Sequence, residues 1–129
     1  MLANLFIAKE ADVTAASHPQ SFPNVNCKPV ETLRLQALAM VVRGRAGELK
    51  PLDTSGEQLV IPVGDELVEK LATLDPKTVV TTATTWAKSP SWEPEVPSVL
   101  HVKVLLAEIC ALADQASREQ KRMYLWISA

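Results

Sequence analysis

Leu2-Ala3-Asn4-Leu5-Phe6-Ile7-Ala8 opens the chain, and Met123-Tyr124-Leu125-Trp126-Ile127 stands just before its last residues. Both runs are short and rich in large apolar side chains, which is strand composition rather than helix composition. The first run does not separate cleanly into an inward and an outward face, so it reads as a strand covered on both sides. Two apolar strands at opposite ends of one chain predict their pairing into a small sheet. What lies between them then has to cover that sheet.

The intervening sequence reads mostly as helix. Ala11 to Ser17 reads as a short helix ended by His18-Pro19, because a residue before proline is pushed out of the α region. Pro19 to Asn26 reads as loop. Pro29 fits a first helical turn, and Val30, Leu33, Ala37 and Val41 follow at helical spacing, flanked by Leu38 and Val42. Gly44 is the expected stop. Gln58-Leu59-Val60-Ile61 has strand composition, but Pro62 cannot donate to a ladder, which makes the segment an edge strand or a strand end. Asp65 is expected to cap a helix carrying Leu67, Val68, Leu71 and Leu74. Asp75-Pro76 caps the next, with Val79, Val80, Ala83 and Trp86 on one face. Its five threonines weaken helicity, and a strand over Thr78–Thr85 is the competing reading. Lys88 to Pro97 is a proline-rich connection. From Ser98 the longest helix buries Val102, Leu105, Leu106, Ile109, Leu112, Ala113 and Ala116. The fold class is α+β, mostly helical: about four helices packed around a sheet that pairs the N-terminal and C-terminal strands, in a single domain over 1–129.

The composition agrees. The chain has 129 residues, 47% apolar and 22% charged, which is ordinary for a globular domain large enough to bury a core without staples. Thirteen basic and fifteen acidic groups leave a net charge of −2, spread evenly along the chain. That balance argues against a nucleic-acid binder, and Arg43-Gly44-Arg45 is too small a basic cluster to reverse it, with Glu48 beside it. The apolar start lacks a basic region, and no run approaches the length of a membrane span, so the expected place is the cytoplasm. Cys27 and Cys110 belong to no metal-binding pattern, though a disulfide between them stays open.

The second half has a rhythm of its own: Leu67-Val68, Leu71-Ala72-Thr73-Leu74-Asp75, Trp86-Ala87, Trp92 and Leu125-Trp126. Over residues 65–129 it resembles small uncharacterised bacterial proteins, with Thr85 standing where those carry alanine before the tryptophan. The resemblance implies a bacterial protein and brings no activity with it.

Signatures of chemistry are missing from the sequence: it has no phosphate-binding glycine loop, zinc-protease motif or nucleophile elbow. Thr54-Ser55-Gly56 reads as a polar turn rather than a phosphate cradle. His101 and Glu108 share a helix face, but their Cα atoms stand about 10 Å apart, too far to hold one metal unaided. A site joining His18, His101 and a cysteine, or His101 acting as a base with Glu93, Glu95 or Glu108, would need folding to supply what spacing does not. No catalytic, cofactor-binding or metal residue is assigned, and no cofactor is expected. Trp86 and Trp126 are expected in the core, their indole N–H groups met by loop carbonyls. Trp92, in a proline-flanked loop, is either an exposed interface anchor or a plug over the core.

The reading that fits is a non-catalytic protein-interaction domain with a protein partner or a second copy of itself. An edge strand near Leu59–Ile61 offers one route to self-pairing. The alternative is a small-molecule-binding or enzymatic domain with a pocket near Trp86, Trp92, His101 and Tyr124. Nucleic acid and membrane are not expected partners.

Overall fold

In the computed structural model, which describes residues 2–28, 30–47, 49–52, 57–94 and 97–128, the two apolar ends pair along their whole length. Strand β1 (Leu2–Ala8) runs antiparallel to β4 (Arg122–Ser128), with Leu5 opposite Leu125 at the middle of the ladder. A third strand, β3 (Gln58–Pro62), pairs antiparallel with the other side of β4. The fourth, β2 (Asn24–Asn26), lies antiparallel to β1. The order is β2-β1-β4-β3, so the two terminal strands are central and β3 is at an edge, where Pro62 belongs.

Alternation along β1 and β4 sends side chains to two cores. Ala3, Leu5, Ile7, Met123 and Leu125 face the helices. Phe6, Ala8, Tyr124 and Trp126 face the other way, where Val13, Phe22 and Leu52 cover them. The helices therefore lie on one side, and a strap made of residues 9–23 lies on the other. Phe22, Phe6 and Tyr124 stack in series beneath the strap, with ring centroids 5.2 and 5.3 Å apart.

Four α-helices are present among the described residues: α1 (Thr32–Arg43), α2 (Asp65–Ala72), α3 (Pro76–Ala87) and α4 (Val99–Glu119). Gly44 ends α1 at φ +79°, its N–H donating to the Met40 carbonyl at 2.9 Å. Asp75 caps α3, its Oδ1 accepting the Thr78 N–H at 2.8 Å with Pro76 in the first turn. In α3 the hydroxyls of Thr81, Thr84 and Thr85 donate to the carbonyls four residues back. Thr82 and Trp86 turn inward. With Val79, Ala83 and Trp86 packed into the core, the threonine-rich segment is helical despite its weak propensity, and the competing strand is not formed.

Several expectations are corrected. Residues 24–26, read as loop, form β2. Residues 11–17 do not form a helix: a 3₁₀ turn at Glu10–Asp12 gives way to extended and turn backbone, because seven residues cannot nucleate a helix unaided. α1 starts at Thr32, after Glu31, rather than around Pro29, which lies outside the described residues. Its buried side chains are Leu35, Leu38 and Ala39, while Leu33 is 63% exposed. The helix is apolar on most sides, so spacing alone could not choose its face. In α3, Val80 is exposed and Thr82 is buried in its stead. The cap of α2 is Gly64, with Asp65 one position inside. Cys27 and Cys110 are both free thiols.

A candidate interaction cleft between β2 and α4

α4 leaves the Pro97 turn and crosses the sheet beside β2, with Val102, Leu106, Ile109 and Ala113 buried. Its first two turns stand off from the end of β2. Between them opens a cleft of about 480 Å³. Asn26 and Lys28 form one wall. His101, Val104, Leu105 and Glu108 form the other, and Trp92, Pro97 and Ser98 form one end.

The Trp92 end is held rigidly. The Arg34 guanidinium lies 4.5 Å from the centre of the Trp92 ring, and its Nε donates to the Ser91 carbonyl at 3.0 Å. Trp86 meets Trp92 edge-on at 5.4 Å and donates from Nε1 to the Arg34 carbonyl at 2.8 Å. Arginine and two indoles thus form one interlocked unit that ties the loop after α3 to α1. Trp92 is 3% exposed, so it is a plug over the core end and not an exposed anchor.

The candidate residues are not all brought together. Trp92 and His101 line the cleft, and Trp86 lies behind Trp92. Tyr124 is on the strap side of the sheet, stacked on Phe6, and lines no part of the cleft; burial pushes its phenol above the ordinary value. Asn26, Lys28, Val104 and Leu105 were missed as lining residues. The available signal was in α4: Val104, which lines the cleft, is apolar yet falls outside its buried stripe.

Neither cysteine is an activated nucleophile. Burial raises the Cys27 thiol to about 12 and the Cys110 thiol to about 11, so both stay protonated at neutral pH. His18 lies over Trp126 on the strap side, rings 5.0 Å apart, with the sheet between it and His101. Among the described residues no three His, Cys, Asp or Glu side chains gather where a metal could be held. Thr54-Ser55-Gly56, Glu48 and Glu95 lie outside the described residues. Arg43 and Arg45 are both paired with Glu66, at 2.6 and 3.0 Å.

The indole N–H of Trp86 is satisfied by a carbonyl as expected, but that of Trp126 is not: it is buried without a hydrogen-bond partner among the described residues, as is that of Trp92. No helix among the described residues is long and apolar enough to cross a membrane. No family model, no curated protein and no solved structure matches the chain.

Proposed function

We propose that this chain is a non-catalytic protein-interaction domain that takes its partner along the outward side of α4 and into the β2–α4 cleft. One observation carries the reading: Val104, 52% exposed, lines the cleft, and Leu100, 67% exposed, stands one turn before it, on a helix whose opposite side is fully engaged in the core. Singly, exposed aliphatic side chains are ordinary on a folded surface. Grouped at a concavity they mark a contact surface. Lys28, His101 and Glu108 around the rim supply polar contacts of both signs, in the pattern of an apolar anchor site with a polar border.

Nothing in this reading calls for a cofactor, nucleic acid or a membrane surface, and the near-neutral charge suits a cytoplasmic protein partner. Displayed random peptides test it. Peptides with an aliphatic or aromatic anchor should be enriched on the parent chain and bind at least tenfold more weakly to Val104→Glu, whose exposed position leaves the fold intact. Failure to enrich, or equal binding to both, would overturn the proposal.

The cleft volume also suits a small apolar ligand, since such sites commonly span about 300–1,000 Å³. This second reading predicts a thermal shift with single-ring aromatic fragments that Val104→Glu abolishes, in the absence of any peptide preference.

A further inference from the structure

The outward side of α4 has an internal symmetry. At about 100° per residue, Leu100, Val104, Ala107 and Ala111 fall within roughly 60° of one another, directly opposite the buried stripe. All four are exposed. Two large residues occupy the first half of this seam and two small ones the second. If a second α4 is laid antiparallel across it, one two-fold axis between residues 105 and 106 sets Leu100 against Ala111 of the other copy. The same axis sets Val104 against Ala107. Each protrusion meets a residue small enough to receive it, and the paired alanines allow the close approach that helix packing needs.

Charge follows the same axis. A two-fold axis perpendicular to a helix places each flank against the same flank of its copy. One flank holds His101 and Glu108, which also line the cleft together with Lys28. In this register Glu108 of the second copy stands within two residues of rise, about 3 Å along the helix, of His101. An acceptor therefore faces a donor on that flank twice over, with Lys28 near by. On the other flank, Lys103 lies within two residues of rise of Cys110 of the second copy, and the two Lys103 positions stand about 7.5 Å apart along the helix.

The other apparent route to self-pairing is obstructed. Val63 N–H donates to the Met123 carbonyl, which fixes the alternation of β3 and turns the backbone groups of Gln58, Val60 and Pro62 outward. Of these, the Val60 carbonyl already accepts the Leu52 N–H at 2.8 Å, and Pro62 has no N–H. Pairing between two copies of the Leu59–Ile61 edge would have to displace the first and do without the second.

We infer that the partner of this surface is a second copy of the chain, docked antiparallel through α4 with Leu100 against Ala111. This rests on the interaction reading above and names its partner. A seam of four residues a side is far short of the roughly 20–30 of a standard interface, so the dimer is weak.

Sedimentation of the reduced chain from 10 µM to 1 mM should show the mass rising towards twice that of the monomer. Ala107→Arg should remain monomeric across the range, while Glu69→Arg, on an exposed position of α2, should dimerise like the parent. Register is read by cross-linking in a Cys110→Ser background. Leu100→Cys mixed with Ala111→Cys should form a mixed disulfide, and neither variant should cross-link with itself, since like positions lie about 16 Å apart along the helix. A monomer at 1 mM that still enriches peptides would sink this inference and leave the interaction reading standing. A monomer that enriches none would sink both. Self-linking of Leu100→Cys would overturn the antiparallel register.

Discussion

Asp75 shows how much a single residue can be asked to do. Its carboxylate is held below the ordinary range chiefly by the Thr78 backbone N–H that it caps. A group whose folded value is depressed stabilises the fold above its unfolded value and loses that contribution as pH falls through the folded one. The window here therefore lies below about pH 4. Asparagine caps a helix equally well but carries no proton to gain. Asp75→Asn should match the parent in urea unfolding at pH 7 and lose less of its midpoint than the parent at pH 3. Trp86 sits at the other extreme, wholly buried and bonded to Arg34. Trp86→Phe leaves a void and an unpaired carbonyl, and should cost about 2–3 kcal/mol in chemical denaturation, with Trp92 fluorescence reporting a loosened loop. Tryptophan composition predicted that Trp86 belongs in the core. It could not predict that Tyr124 and Trp92 part company, because that depends on which side of β4 each residue's neighbours lie.

The elements were legible where one physical cue dominated. Asp75-Pro76, Gly44 and the buried stripe of α4 each appear where local chemistry puts them. The apolar termini pair as strands because neither is long enough to be a buried helix. Legibility failed where the element depends on distant contacts. β2 is three residues of Asn-Val-Asn, strand-like only because β1 offers it a free ladder, and α1 is apolar on too many sides for spacing to pick its buried face. The C-terminus of α4 exposes a local weakness. Gln120 takes a left-handed conformation at φ +56°, a region where a side chain costs about 1–2 kcal/mol. Glycine is free there. Gln120→Gly should raise stability by about 0.5–1 kcal/mol, measured as a higher urea midpoint at unchanged slope. A lower midpoint would mean that the Gln120 side chain carries contacts outweighing its strain.

At the scale of the whole molecule, the sheet order matters more than any one contact. β4 touches β1 along one side and β3 along the other, and its side chains enter both cores. Leu125, fully buried at the centre, should cost about 3 kcal/mol as Leu125→Ala. Removing residues 122–129 altogether should abolish the cooperative thermal transition rather than lower its midpoint, because β3 then has no partner and both cores lose a wall. The candidate cleft was half visible from sequence for a related reason. Its α4 wall was contained in one helix, whereas Asn26 and Lys28 reach it only through the pairing of β2 with β1.

That same order governs the sequence of events during synthesis. Within this chain β1 precedes β3 and β4 comes last of the four strands, yet β4 is the strand that joins β1 to β3. Until it appears, the β4-facing edge of β1 stands open for more than a hundred residues of translation and that of β3 for about sixty. Such a chain has to be shielded, by its own helices collapsing early or by a chaperone, and the cell would meet its aggregation hazard before the fold exists rather than after it fails.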